Sequence, residues 1–298
     1  MAAAVGDRGV RPGPLYALPA FAFFSLFAVV PMLLVLVLSL TRWDGIGAPS
    51  FTGLDNWSRL VRDAGIADSL RLSVILTVVG WCIQTPISLL LGVWSAGRQR
   101  NRAVLSSLFF LPLLLSTAAI TLVWRSLLDP NFGLLATLGP KVGLDGGNVL
   151  GSSSGALLAV AAVASWQFIP FHMLLYQAGA RQIPRVLYEA AVIDGAGRLA
   201  QLWRITLPQL RHTIVTSSVI MIVGSLTYFE TVLILTNGGP GTATKILPFD
   251  MYEQAFRSYE MGYGSAIATG LVVIGTALSL VIVRFSGFSS MRSTLEGM

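Results

Sequence analysis

A single carboxylate, Glu230, lies inside the long apolar stretches of this sequence, and Tyr228 and Phe229 come directly before it. A charged side chain within the hydrocarbon of a membrane costs about 3 kcal/mol on insertion scales unless it is hydrated or paired. Aromatic faces pack against the C–H groups of sugars, and carboxylate oxygens accept hydrogen bonds from hydroxyl groups. The pattern indicates a hydrated path for a polar ligand such as a sugar. The alternative is a carboxylate near the lipid headgroups that pairs with an arginine.

Gln167, next to Trp166, is a second candidate for contact with a polar ligand. Its amide offers both a donor and an acceptor, which suits the hydroxyl groups of a sugar. Polar side chains in membrane helices also bond to neighbouring helices without touching any ligand. Both interpretations of Gln167 stay open at this stage.

Signatures of catalysis and of metal binding are missing from the sequence. The stretch 238–245, GGPGTATK, lacks both the glycine before the lysine and the Ser or Thr after it that a phosphate-binding loop needs. The two histidines, His172 and His212, are far apart and belong to no HExxH motif, and Cys82 is the single cysteine. We therefore predict no catalytic residue, no metal site and no cofactor in this chain.

The composition is that of an integral membrane protein. Of 298 residues, 54% are hydrophobic and only 11% are charged, whereas soluble domains average about 25% charged residues. About 20 apolar residues cross the hydrocarbon core as a helix. The sequence predicts an all-α fold with six transmembrane helices, at 15–40, 72–95, 103–124, 155–177, 213–236 and 264–283. Residues 1–14 are expected to form a disordered cytoplasmic tail, followed by one transmembrane domain over 15–298.

Arginines give this predicted bundle an orientation. Arg98, Arg100 and Arg102 cluster between spans 2 and 3, and further arginines lie near both termini and between spans 4 and 5. Short loops rich in Lys and Arg stay in the cytoplasm. Six spans with both termini in the cytoplasm satisfy this rule. Because the net charge of +6 is divided among clusters between apolar spans, it does not indicate a nucleic-acid partner.

The longest polar interruption near the middle of the chain is Glu189–Pro208, EAAVIDGAGRLAQLWRITLP. Pro184 suits the first turn of a helix, Gly195 and Gly197 stop that helix, and Pro208 is expected to end a second one. The second helix is amphipathic, with apolar residues on roughly one face at Leu199, Leu202, Trp203 and Ile205. A helix–glycine–helix element of this kind at a membrane surface suits a groove on a soluble partner.

The same interruption resembles the EAA loop of permease subunits of bacterial ABC importers. The spacing EAA-x3-G-x9-I-x-LP is met in full by Glu189, Ala190, Ala191, Gly195, Ile205, Leu207 and Pro208. Asp194, Gly195 and Ala196 form the DGA triplet of the sugar-importing, MalF-like branch, and Trp203 stands where that branch often has Phe. The runs YFETVLILTNGGPGTAT and MYEQAF with MGYGSA resemble the same branch, with Glu230 where Asp is common.

The resemblance implies a role for the loop and a set of partners. The loop between spans 4 and 5 would be the coupling helix, which sits in a cleft of a separate ATPase; Glu189 would anchor it by charge, Gly195 would allow the bend, and Ala190 and Ala191 would permit close packing. The implied partners are a second permease, two copies of an ABC ATPase that bind ATP and Mg²⁺, and an extracytoplasmic sugar-binding protein. The chain would lie in the lipid bilayer of a bacterial cytoplasmic membrane and carry a sugar.

Two other functions remain open. One is an ABC permease for a solute other than a sugar, which the EAA loop alone allows. The other is an ion-coupled secondary transporter, for which Glu230 is the only membrane-embedded carboxylate and for which the sequence offers no internal inverted repeat. Uptake driven by ions without ATP would identify the second.

Overall fold

A computed structural model describes residues 14–97, 100–138 and 148–285 of the chain. The described residues are mostly helical, as predicted, and add one two-stranded antiparallel hairpin that pairs Thr41–Arg42 (β1) with Ser50–Phe51 (β2). The tail at 1–13 and the arginines Arg98 and Arg292 lie outside the described residues, so the expectations for them are not addressed by the structure.

The α-helices follow one another along the chain with short connections. Their bounds are Leu18–Phe24 (α1), Val30–Leu38 (α2), Asp55–Arg62 (α3), Ala64–Ser95 (α4), Arg100–Phe109 (α5), Leu111–Leu114 (α6), Thr117–Leu127 (α7), Leu134–Leu138 (α8), Ser153–Gln182 (α9), Arg185–Ile193 (α10), Arg198–Gln201 (α11), Leu207–Ser225 (α12), Phe229–Leu235 (α13), Leu247–Tyr252 (α14) and Met261–Phe285 (α15). One-turn π-helices at Ser25–Val29, Leu202–Thr206 and Glu253–Arg257 join neighbouring α-helices, and short 3₁₀ segments occupy Pro14–Ala17 and Val149–Gly151.

Four described helices are long and apolar enough to cross a membrane: Leu18–Leu38, Ala64–Ser95, Ser153–Gln182 and Met261–Arg284. A fifth span is possible if Arg198–Ser225 and Phe229–Leu235, which meet at a bend of 49°, are counted together. The chain is therefore a multi-pass membrane protein. The segment expected as the third span, 103–124, is divided among α5, α6 and α7, so the count of six stays a prediction.

The break within that third segment has a local cause. Leu115 adopts an extended backbone after α6, and the hydroxyl of Ser116 then accepts a hydrogen bond from the Ala119 N–H at 3.3 Å. A serine in this position satisfies one of the free N–H groups of a helix start. The cap fixes the beginning of α7, a boundary that the prediction of one continuous span over 103–124 did not include.

The core is formed mainly where α4 packs along α9. Both helices contribute small residues, and they lie close together at Gly92, where an added Cβ would lie 2.6 Å from the Cβ of Tyr176. Any larger side chain there would force the helices apart. Leu76 and Val160 are buried in the same cluster. Close contact through small residues is the usual means by which membrane helices associate, since lipid supplies no hydrophobic driving force.

The connections between helices are sorted to two ends of the bundle. One end, which we call the basic end, holds residues 95–97 and 180–207, and there the Gln177 amide donates to the Ser95 carbonyl at 3.0 Å. The opposite end holds the hairpin and residues 236–261, where Ser69 donates to Asp250 at 2.8 Å. The EAA loop thus shares an end with the residues that lead into the Arg98–Arg102 loop, as the arginine pattern predicts; that this end faces the cytoplasm remains a prediction.

Candidate functional site

The EAA loop begins with helix α10, whose end is built around Gly195. Gly195 has φ +74°, a left-handed conformation that glycine adopts without steric cost. Its N–H donates to the Val192 carbonyl at 3.1 Å, and the Ala196 N–H donates to the Ala191 carbonyl at 2.8 Å. This pair of bonds is the Schellman arrangement, in which the last carbonyls of a helix find donors in the turn that follows. Gly195 therefore sets the direction in which the chain leaves α10.

The second helix of the loop starts at Gly197, which has an extended backbone at φ −68° and ψ 167°. The side chain of Gln201 donates to the Ala196 carbonyl at 2.8 Å and closes the turn from the other side. Asp194, the last residue before the turn, is exposed. The two-helix shape expected for the loop is present, with the glycines in the turn.

The prediction that Pro208 ends the second helix is wrong. Helix α11 continues through the π-turn Leu202–Thr206 into α12, and Pro208 lies in the first turn of α12. A proline lacks the N–H for the bond to the carbonyl four residues earlier. The π-turn, in which the Leu207 N–H donates to the Leu202 carbonyl, widens the helix just before Pro208. The second helix of the EAA loop and α12 therefore form one continuous helix, Arg198–Ser225, which ends at the bend before α13.

The apolar residues of the loop divide between two faces. Ile193 is 87% exposed and Trp203 is 65% exposed, and Leu199 is exposed beside them. Ile205 and Leu207, in contrast, pack into the cluster around Leu210, so Ile205 does not share one face with Trp203 as expected. The inner residues hold the loop to the bundle, while the outer ones form an apolar surface with no partner among the described residues.

Glu189, Ala190 and Ala191 all lie on α10. Ala191 supplies a carbonyl to the turn, and the Ala190 carbonyl accepts from the Asp194 N–H at 3.0 Å. The carboxylate of Glu189 is exposed and forms no ion pair with the residues that the structure describes. Its neighbour Tyr188 bonds to Thr206 at 2.9 Å, so α10 is tied to the start of α12 without help from Glu189. A charge-based anchoring role for Glu189 would need a partner outside the described residues.

Tyr228 lies at the bend between α12 and α13, deep in the bundle. Its ring is stacked on Phe168 with centroids 6.0 Å apart, and its hydroxyl accepts a hydrogen bond from the Gln84 amide at 3.1 Å. A cavity of about 220 Å³ opens beside it. The wall of this cavity, hereafter the aromatic cavity, consists of Leu113, Phe168, Phe171, His172, Ile220, Met221, Gly224, Thr227 and Tyr228.

Glu230 does not line the aromatic cavity. It is half-buried in the first turn of α13, where the positive end of the helix dipole favours a carboxylate. Among the described residues it has no ion pair and no hydrogen bond: the nearby Arg125 donates instead to the Ile234 carbonyl at 3.2 Å. The pairing with arginine that the sequence left open therefore finds no support within the described residues.

Gln167 is buried and makes an interhelical bond, in which its amide donates to the Thr117 hydroxyl of α7 at 3.1 Å. Its carbonyl oxygen Oε1 has no partner among the described residues. The structure thus supports the helix-bonding interpretation of Gln167 and separates it from Tyr228, because Gln167 is absent from the wall of the aromatic cavity.

Three residues of the aromatic cavity escape notice in the sequence. Phe168 and Phe171 read as ordinary apolar positions of a membrane helix, and His172 as an isolated polar one. Phe171 and His172 follow Phe168 by three and four residues, so all three lie on one face of α9. This spacing is the signal in the sequence that could have indicated a shared site. His172 is held by a bond of 2.9 Å between its Nδ1 and the Ser217 hydroxyl.

At the opposite end of the bundle, Asp250 is the centre of a buried polar cluster. It is 1% exposed and accepts a hydrogen bond from Ser69 of α4 at 2.8 Å. Lys245 pairs with Asp250 at 3.1 Å and with Glu253 at 3.0 Å. Burial alone would lower the pKa of Lys245, but the bonds to Glu253 and Asp250 outweigh it and raise that pKa above its ordinary value. The cluster attaches segment 236–261 to α4.

The structure is thus a multi-pass helical membrane bundle that exposes a two-helix loop at its basic end. Residues 88–289 match the family described as binding-protein-dependent transport system inner membrane component. The chain belongs to this family.

Individual relatives agree with the family over nearly the whole chain. The probable ABC transporter permease protein YurN of Bacillus subtilis (strain 168) is 34% identical, with 91% of this chain and 94% of YurN covered. The trehalose/maltose transport system permease protein MalF of Thermococcus litoralis is 28% identical, with 94% and 95% covered. A chain of a bacterial alginate ABC transporter, crystallised in complex with alginate pentasaccharide-bound periplasmic protein, shares the fold with a TM-score of 0.76 at 24% identity, covering 93% and 94%.

Proposed function

We propose that this chain is the permease subunit of an ATP-driven, binding-protein-dependent sugar importer in a bacterial cytoplasmic membrane. The observation that carries the proposal is the EAA loop, a Gly195 turn that presents Ile193, Leu199 and Trp203 at the basic end of the bundle. Such an unpartnered apolar surface on a helix suits insertion into a groove of a soluble protein. The ATPase is the partner that the family resemblance supplies.

The residues of the chain indicate which parts of the transport cycle belong to it and which belong to its partners. Its sequence has no phosphate-binding loop, and the family resemblance places ATP and Mg²⁺ on two copies of a partner ATPase. Closure of the ATPases would move the coupling loops of this chain and of a second permease. Because α11 and α12 form one helix through the π-turn, such a movement would be transmitted along that helix to the bend at Tyr228.

A sugar is the solute that the observations favour. The name of the MalF relative specifies trehalose and maltose, and the aromatic cavity places Tyr228, Phe168 and Phe171 around a space of about 220 Å³. Aromatic rings with a few polar groups suit the apolar faces and hydroxyl groups of a sugar. A binding protein would deliver the sugar to the opposite end of the bundle, and the sugar would pass the bend near Tyr228 and Glu230.

Affinity purification of the tagged chain from its own membranes in mild detergent, followed by mass spectrometry, tests this proposal. We expect recovery of a phosphate-loop ATPase, a second permease and a binding protein, whose ligand then identifies the sugar. A binding protein with a ligand that is not a sugar would replace the substrate class. A chain that purifies alone and drives ion-dependent uptake after reconstitution would contradict the ABC function.

Glu230→Gln is expected to reduce uptake of the identified sugar by about ten-fold at low sugar concentration, equivalent to about 1.4 kcal/mol of lost interaction. The change removes a half-buried carboxylate with no described partner while keeping the shape of the side chain. Uptake into reconstituted vesicles measures the effect.

Asp55→Asn is the matched control for Glu230→Gln. Asp55 also occupies the first turn of a helix, α3, but is exposed at the opposite end of the bundle. We expect unchanged uptake in this control and equal amounts of assembled complex in both variants. Normal uptake kinetics in Glu230→Gln would remove Glu230 from the sugar path.

A further inference from the structure

A cavity of about 460 Å³ at the basic end carries two arginines that the proposed coupling function does not use. It lies between the end of α4, the end of α9 and the start of α10, and Arg181 and Arg185 stand in its wall together with Tyr188. The other lining residues are small or apolar: Ala96, Gly97, Ala180 and Ile183. Among the described residues, no carboxylate lines the cavity.

Both arginines are exposed, and neither has an ion pair or hydrogen bond with the described residues. Glu189 lies one helical turn after Arg185, at the spacing where opposite charges often pair, yet the four ion pairs in the described chain all involve other residues. Two guanidinium groups that line one cavity favour the binding of an anion between them. The arrangement lacks a counter-charge within the described part of the chain.

The walls of the cavity are held in place by bonds that need no ligand. On one side the Gln177 amide donates to the Ser95 carbonyl at 3.0 Å and joins α9 to α4. On the other side Tyr188 bonds to Thr206 at 2.9 Å and fixes α10. Helix α10 begins at Arg185 without a side-chain cap, and in its first turn the Leu187 N–H bonds to the Pro184 carbonyl at 3.2 Å. The N–H groups before Leu187 and the positive end of the helix dipole favour an anion beside Arg185.

The position of the cavity indicates where the anion comes from. Helices α4 and α9 are both long and apolar enough to cross a membrane, and the cavity begins where the two end, at Ala96 and Arg181. This is the depth of the lipid headgroups if both helices span the bilayer. Basic pockets between helices at the cytoplasmic surface suit anionic phospholipids. The apolar part of the wall, Ala180 and Ile183, suits the glycerol and the first acyl carbons.

We propose that this cavity is a binding site for the phosphate of an anionic phospholipid, held by Arg181, Arg185 and the start of α10. Arginine binds phosphate oxygens through two parallel N–H donors, so Arg181 and Arg185 can both donate to the phosphate of one headgroup. The site is separate from the apolar coupling surface at Ile193 and Trp203. It would couple the position of the loop to the lipid composition of the membrane.

The test uses the purified full chain in neutral detergent, with dioleoyl phosphatidylglycerol as the probe and native mass spectrometry and thermal stability as readouts. Each arginine near an anionic surface contributes about 1 kcal/mol, so Arg181→Gln and Arg185→Gln are each expected to weaken retention of phosphatidylglycerol by about five-fold. Arg211→Gln, an exposed arginine at the same end that does not line the cavity, serves as the control and should retain the lipid as the unmodified chain does.

Two further probes distinguish the sources of phosphate. Phosphatidylcholine should bind several-fold more weakly than phosphatidylglycerol, and inorganic phosphate should not stabilise the chain. The site would be overturned if both single variants retained phosphatidylglycerol as well as the unmodified chain does. It would also be overturned if the unmodified chain retained phosphatidylcholine as well as phosphatidylglycerol. Stabilisation by inorganic phosphate that matches that by the lipid would overturn the lipid source. None of these readouts depends on transport or on the ATPase.

Discussion

Replacement of Gly195 by valine should reduce sugar-stimulated ATP hydrolysis by the assembled complex about ten-fold or more, while the chain still inserts and assembles. The backbone of Gly195 has φ +74°. A side chain in the left-handed region costs about 1–2 kcal/mol, and a branched residue such as valine resists it more than others. The turn is therefore expected to rearrange, and the apolar surface at Ile193 would no longer face the groove it fits.

Gly197→Val is a closely matched control because it makes the same change two residues away. An added Cβ meets no atom within 4 Å at either glycine, so crowding within the chain does not differ between the two sites. Gly197 has φ −68° and ψ 167°, which valine adopts readily. We expect the control to keep at least about half of its activity, since loss of a glycine cap costs only a fraction of a kcal/mol to about 1 kcal/mol.

ATP hydrolysis and sugar uptake by reconstituted complexes, normalised to the amount of ATPase that co-purifies, measure both variants. Equal activity of Gly195→Val and Gly197→Val would show that the left-handed turn is not needed for coupling. Loss of the ATPase from the complex in Gly195→Val alone would contradict the expected assembly and would show that the turn is needed for docking of the ATPase.

Asp250→Ala should be among the most destabilising single substitutions in segment 236–261. It removes a carboxylate that is 1% exposed and leaves Lys245 with only Glu253 and Ser69 with no acceptor. Removal of one partner from a buried ion pair costs about 3–5 kcal/mol. Because Lys245 keeps one carboxylate and is partly exposed, we expect the free energy of unfolding to fall by about 2–4 kcal/mol. The melting temperature should fall by several degrees.

Glu253→Ala provides the comparison, since it removes the other carboxylate bound to Lys245. Glu253 is partly exposed, and exposed ion pairs contribute about 0–1 kcal/mol. The double variant Lys245→Met/Asp250→Leu replaces the pair by apolar side chains and should recover part of the stability that Asp250→Ala loses. Thermal unfolding of the purified chains in one detergent measures all three. Equal melting temperatures for Asp250→Ala and Glu253→Ala would contradict the central role of Asp250.

Local features of the sequence determined the class of the protein. Length and apolar character indicate membrane spans because the hydrocarbon thickness sets the number of residues that a helix needs. The glycines and Pro184 indicate the two-helix EAA loop because glycine adopts turn conformations that other residues resist and proline suits the start of a helix. The spacing from Glu189 to Pro208 indicated the family, which the comparison over residues 88–289 confirms.

Two other features of the EAA loop could not be predicted from the local sequence. Pro208 was expected to stop a helix, but one widened turn at Leu202–Thr206 carries the helix past it. Ile205 was expected beside Trp203 on one face, but packing against Leu210 draws it inward. In both cases tertiary contacts with the bundle outweigh the preference of a short segment.

Only the tertiary structure brought together the groups that form the polar and aromatic sites. Ser69 and Asp250 are 181 residues apart in the chain and 2.8 Å apart in space, and Gln84 reaches Tyr228 across 144 residues. Phe168 and Tyr228 become neighbours because α9 and the bend after α12 meet in the core. The sequence by itself determined the membrane character and the family, since these depend on composition and near neighbours. The cavities and the Asp250 cluster depend on which helices pack together, and that was decided by close contacts such as Gly92 on Tyr176.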